Sequence, residues 1–221
     1  MKINPNIKGI LFDMDGTVLD SEHLFLKSQI ELLKEFNIEH QACDLEEFKG
    51  LSYKDFYPKF MNKFGIISEI SEIREKLRTY LHKLMETDLK FISGFESFFK
   101  LYIKNKNYSV GLVTNTTRLS YKKIQTCINI NDYFDYVLTV SESIEPKPSP
   151  KPYFQAMDHL SLNFDQVVII EDSKTGLISA KQTGATVIAI TTSLNYNDIK
   201  NIDNDIIIFD SYKQISDFFN K

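Results

Sequence analysis

Six short apolar runs limit how this chain can fold: Ile7–Phe12, Tyr108–Val113, Tyr136–Val140, Val167–Ile170, Thr186–Ile190 and Ile206–Phe209. Each is short and bounded by turn residues, which suits strands buried on both faces of a parallel sheet. Helical patterns lie between the later runs, over Arg118–Ile128, Lys151–Leu160 and Thr175–Thr183. Strand and helix in alternation imply parallel βαβ units and a doubly wound α/β sheet. The alternation fails once, between Asp20 and Lys90. There Leu24, Leu26, Ile30, Leu33 and Phe36 recur at helical spacing, and Ile70, Ile73, Leu77, Leu81 and Leu84 repeat the pattern in a charged background. Three or four inserted helices are expected, with Ile92-Ser93-Gly94 returning the chain to the sheet. The expected division is a sheet domain over 1–19 and 91–221 and a helical domain over 20–90. Because both connections flank the end of the first strand, the insertion reads as a lid.

Bulk properties narrow the class. At 221 residues the chain can hold one full core plus a smaller inserted domain. A net charge of −4 argues against the broad basic surface of a nucleic-acid binder. Cys43 and Cys127 have no metal-ligand spacing, which favours a reduced, cytosolic setting. Met1–Ile7 lacks the pattern of a signal peptide, and no run approaches the roughly 20 apolar residues of a membrane span. The expectation is a cytoplasmic monomer or weak dimer with no nucleic-acid or membrane partner.

Chemistry gathers at the strand ends. Asp13-Met14-Asp15-Gly16-Thr17 follows the first run, placing two carboxylates on one turn where open α/β sheets bind ligands. The pair can hold a divalent cation or divide nucleophile and acid/base roles, although Asp-Gly is also ordinary turn chemistry. Val113-Thr114-Asn115-Thr116 follows the second run and reads as either a helix cap or an anion site. Glu145-Pro146-Lys147-Pro148-Ser149-Pro150 brackets one lysine with prolines, stiffening its loop; Lys151 is the competing cation. Glu171-Asp172-Ser173 follows the fourth run. These acids suit either the start of the next helix or a hard cation. In the second reading Asp172 completes a Mg²⁺ site with the Asp13 carboxylate and the Asp15 carbonyl, while Glu171 holds a metal-bound water. In a parallel sheet these ends share one edge, so the four motifs would converge.

Taken together and in this order, DMDGT, VTNT, KPSP and EDSKTG resemble the haloacid dehalogenase-like hydrolase superfamily, in the branch with a helical cap inserted after the first strand. The resemblance covers essentially the whole chain and implies a Rossmann-like core. It further implies Mg²⁺-dependent hydrolysis of a small phosphorylated metabolite, such as a sugar phosphate or phosphoglycolate, through an aspartyl-phosphate. Asp13 would be the nucleophile and Asp15 the acid and base. Thr114, the Asn115 N–H and Lys147 would hold the phosphoryl oxygens. Asp172 would bind the metal, with Glu171 in support. The cap loop Gly50-Leu51-Ser52 would select substrate through Gly50 and Ser52.

Asp15 separates the chain from the dehalogenases and from the phosphonoacetaldehyde hydrolases, whose Schiff-base lysine Lys54 only approximates in position. The nearest alternative is a β-phosphoglucomutase-like mutase. Against it, Phe25 stands where mutases carry a histidine, and Tyr53 where they carry an arginine. A non-catalytic protein that binds phosphorylated ligands is a third reading, disfavoured because no motif residue is missing.

Overall fold

A computed structural model describes residues 5–48, 51, 53–104 and 106–220. The chain divides into two compact units, Met1–Asp20 with Lys90–Lys221, and Ser21–Leu89.

The first unit is built on a six-stranded sheet. Its strands are β1 (Gly9–Phe12), β2 (Ser109–Val113), β3 (Tyr136–Leu138), β4 (Val167–Glu171), β5 (Thr186–Ile190) and β6 (Ile207–Phe209). Their spatial order is β3-β2-β1-β4-β5-β6, and every pairing is parallel. This is the doubly wound arrangement that the alternating runs imply. Parallel strands must be covered on both faces, and β1 and β4 are accordingly buried at every residue. On one face Leu11, Ile169 and Val187 join Tyr153, Met157, Leu177 and Ile199 in a largely aliphatic core. On the other, Phe12 meets Phe95 edge to face at 5.7 Å, and Phe95 packs on Tyr212 at 5.5 Å. β3 ends at Leu138 rather than Val140, because the Val140 N–H turns to the Thr116 carbonyl at 3.1 Å instead of continuing the ladder.

The register brings the strand ends level. Phe12 lies opposite both Leu112 and Ile170, so residue 13 follows β1 where Val113 and Glu171 end their strands. β1 is also where the order reverses, the topological switch point at which α/β sheets place their ligands. Beyond Asp15 the outgoing and returning passages of the chain pair with each other. The Asp20 N–H reaches the Lys90 carbonyl at 3.0 Å, and the Ile92 N–H reaches Val18 at 2.9 Å.

The second unit holds α1 (Glu22–Glu35), a 3-10 helix (Ala42–Phe48), α2 (Tyr53–Phe64) and α3 (Ile70–Asp88). Its core joins Leu32, Leu33, Leu45, Ile73 and Leu77 to Phe48, Phe56 and Phe60. Rings dominate: Phe60 lies 5.2 Å from Phe56, 5.4 Å from Phe48 and 5.0 Å from Phe64. Phe25 packs on Phe56 at 5.1 Å. Among the described residues, no helix is long and apolar enough to cross a membrane.

Candidate active site

Lys147 is the hub of a buried polar cluster. It follows β3 in a loop that continues into the helix Lys151–His159, and only 3% of its surface is exposed. An ammonium has three protons to give. Lys147 Nζ donates to Asp13 Oδ1, the Val113 carbonyl and Glu171 Oε1, each at 2.7 Å. Lys151, by contrast, is exposed and pairs with Glu145.

Glu171 ends β4 fully buried. Its Oε1 also accepts from the Tyr153 hydroxyl at 2.8 Å. Its Oε2 accepts the Asp172 N–H at 3.0 Å, and the Ser173 N–H and hydroxyl at 3.2 Å. Both oxygens are therefore engaged by protein. The next helix, Lys174–Lys181, begins against this carboxylate, and a Cβ at Gly176 would lie 1.8 Å from Oε1. Only glycine fits there.

Asp172 is likewise fully buried. Thr17 Oγ1 donates to its Oδ1 at 3.0 Å, and the Ser193 hydroxyl donates to Oδ2. Gly16 lies so close that a Cβ would sit 2.1 Å from Oδ2, and its φ of +81° independently favours glycine. Asp15 is half-buried and belongs to a different set of partners: Thr116 Oγ1 lies 2.7 Å from its Oδ2, and Thr114 Oγ1 lies 3.5 Å away. The two aspartates of one turn thus occupy distinct environments.

Burial and then the Glu171 charge push the Asp13 carboxyl well above the usual carboxylate range, with Lys147 pulling the other way. Burial would lower the Lys147 ammonium, but the Asp13 and Glu171 charges overcome it and hold Lys147 above its ordinary value. Burial and then Glu171 hold the Tyr153 hydroxyl well above its usual range, so it remains a donor.

The carboxylates of Asp13, Glu171 and Asp172 each offer an oxygen within 4.8 Å of the others. When ionised, they carry two more negative charges than Lys147 offsets. A buried set of hard oxygen donors with excess negative charge fits a hard divalent cation.

The fold thus brings together Asp13, Asp15, Thr114, Asn115, Lys147, Glu171 and Asp172. Gly50 and Ser52 lie outside the described residues, as do the side chains of Tyr53 and Lys54. Sequence reasoning did not single out Thr17, Thr116, Tyr153 or Ser193. Ser193 lies just beyond β5, and extending the strand-end argument to Thr191-Thr192-Ser193 would have found it. Tyr153 carries no such signal.

A sequence model of the family described as "Haloacid dehalogenase-like hydrolase" matches residues 10–190. The chain is 26% identical over 208 residues to pyrophosphatase PpaX of Oceanobacillus iheyensis, covering 93% of this chain and 94% of that one. It is 22% identical over 178 residues to a phosphorylated carbohydrates phosphatase of Thermotoga maritima, covering 80% and 82%. The crystal structure of a predicted phosphoglycolate phosphatase from Haemophilus somnus superposes with a TM-score of 0.81 at 20% identity. That match covers 95% of this chain and 96% of the other, and it speaks to the fold.

Proposed function

The chain belongs to the haloacid dehalogenase-like hydrolase family, and from that premise we propose that it is a phosphatase of small phosphomonoesters, working through an aspartyl-phosphate. One observation carries the reading: Lys147 binds Asp13 at 2.7 Å in a buried cluster with Asp172, while Asp15 is held apart by Thr116. Similarity to a pyrophosphatase and a carbohydrate phosphatase supports phosphate chemistry. The substrate class is a sugar phosphate or a phosphoglycolate-like ester.

In this reading Asp13, fixed by Lys147, attacks phosphorus in line with the leaving oxygen. Asp15 protonates the departing alkoxide, then takes a proton from the water that hydrolyses the acyl phosphate. Thr114, the Asn115 backbone N–H and Lys147 orient the phosphoryl oxygens. The Asp13 and Asp172 carboxylates and the Asp15 carbonyl would hold Mg²⁺, with Glu171 in support. When bound, the ion offsets the repulsion between the anionic nucleophile and the anionic phosphoryl group. The helical unit is the cap, with Gly50 and Ser52 in its substrate-selecting loop. Its insertion six residues beyond Asp15 supports that role, as does the pairing of its two connections.

Mutase activity is disfavoured because Phe25 is part of an aromatic cluster, 5.1 Å from Phe56, where mutases need an ionisable side chain. The test is phosphate release across about a hundred phosphorylated metabolites and pyrophosphate with Mg²⁺, beside interconversion of glucose 1- and 6-phosphates. Phosphate release is expected to stop on chelation, return with Mg²⁺ and vanish in Asp13→Asn while the thermal midpoint stays within a few degrees. Near-normal release by that variant would refute the nucleophile; interconversion without net release would make the protein a mutase.

A further inference from the structure

Catalytic groups must be held to about half an ångström, yet Lys147 carries its ammonium on a flexible stem from a loop residue outside any helix or strand. Both immediate neighbours are prolines, which have no N–H to give. Within the loop, the Ser149 N–H bonds the Pro146 carbonyl at 3.0 Å. From the helix Lys174–Lys181, Ser179 Oγ donates to the Ser149 carbonyl at 2.6 Å, and Gln182, the residue after that helix, donates from Nε2 to the Pro148 carbonyl at 3.3 Å. These bonds fasten residues 146, 148 and 149. None of them touches residue 147.

Asn115 does. Its Oδ1 accepts the Lys147 N–H at 3.0 Å, and its Nδ2 donates to the Lys147 carbonyl at 3.1 Å. One amide takes up both backbone polar groups of a single residue, and the donor–acceptor pattern fixes which way the amide points. Among the described residues, no other group bonds the Lys147 backbone. At the far end of the stem, Asp13, Val113 and Glu171 take all three ammonium protons. The lysine is pinned at both ends, and Asn115 is the pin at the backbone end. The hydroxyls on either side of Asn115, from Thr114 and Thr116, reach toward Asp15 instead.

We infer that the Asn115 side chain is a positioning residue that aims Lys147 at Asp13, separately from any use of the Asn115 backbone N–H. The inference rests on the phosphatase reading above. It links β2 to the loop after β3, so that the stretch positioning Asp15 also sets the lysine that orients the nucleophile.

Asn115→Ala keeps the backbone N–H and deletes both bonds. With the best substrate from the metabolite screen, it is expected to lower kcat about 10- to 100-fold while KM stays within about threefold, the signature of lost alignment rather than lost substrate binding. In a Lys147→Ala background, with enough enzyme to measure the residue of activity, the same change should cost less than about twofold, because the group it aims is gone. Asn115→Asp keeps the acceptor but loses the donor; an intermediate loss is expected, and this variant carries the test if the alanine protein does not fold. Losses that multiply fully in the double variant, or a rise in KM at unchanged kcat, would overturn the inference and leave the phosphatase reading standing. A wild-type protein that releases no phosphate would overturn both.

Discussion

Lys147 and Lys76 each pair with two carboxylates, and the two lysines do different things for the protein. Lys76 lies on α3 of the helical unit, where it meets Glu35 and, at 4.0 Å, Glu72 with 31% of its side chain exposed. Water screens such pairs. Lys147 has 2% of its side chain exposed and spends every proton on a fixed acceptor. Burial makes an ion pair directional, because a charge that has lost its water must be met by specific groups. The contrast extends to the two units. In the helical unit, the described buried polar residues are Ser21, Ser28 and Gln29, and none of them is ionisable. In the sheet unit Asp13, Lys147, Glu171 and Asp172 are all buried. One unit packs aliphatic side chains and rings and keeps its ion pairs partly exposed, while the other also buries charge to orient a site.

The sharpest way to break this comparison is to neutralise each lysine. Lys147→Met is expected to lower kcat about a thousandfold, the range for removing one fixed charged donor from an active site. Lys76→Met should leave kcat within about twofold. Equal losses would show that burial is not what separates them. A smaller effect, and one on stability rather than rate, is expected from Phe60→Ala, which empties a position fully buried among three rings. A loss of about 3 kcal/mol should appear in denaturant unfolding; a change below about 1 kcal/mol would mean that the ring cluster does not hold the helical unit.

The smallest effect belongs to a partly exposed pair in the sheet unit. Arg118 donates to both oxygens of Glu142, at 2.9 and 3.0 Å, and to the Val137 carbonyl at 3.0 Å. The Arg118 hydrogen bond, with help from Thr139, holds the Glu142 carboxyl below its ordinary 4.5. A depressed carboxylate contributes stability that is complete above its unfolded pKa and is lost as pH falls through the folded one. The Glu142 contribution should therefore fade below about pH 4.5. Glu142→Gln should cost no more than about 1 kcal/mol at pH 7, given solvent screening. Its stability should converge on wild type in acid; a difference that persists at pH 3 would contradict the assignment.

The strand-end motifs were legible because each follows an apolar run, and parallel connectivity sends all such ends to one edge. Asp13, Thr114, Lys147 and Asp172 follow from that argument. The partners that hold them do not. Thr17 meets Asp172 across 155 positions, Thr116 meets Asp15 across 101, and Tyr153 meets Glu171 across 18. A lone hydroxyl has no periodicity and no charge to betray it, and its partner is set by packing. Thr116 came nearest to being visible, since it stands two residues beyond Thr114 in the same motif. In the sequence Gly176 is no more than the last residue of the EDSKTG motif. The reason for it, the Glu171 carboxylate lying where a Cβ would stand, needed coordinates.

By itself, then, the sequence determined the sheet class, the inserted helices and the strand-end residues. Those depend on local periodicity and on connection rules that act along the chain. Tertiary structure alone decided how charge is shared among the gathered groups. It gave all three Lys147 protons to fixed acceptors, committed both Glu171 oxygens, and placed Asp13 and Asp15 in different environments two residues apart. The physical reason is burial: hydrogen bonds and desolvation act through space, between residues whose separation in sequence carries no trace of their contact.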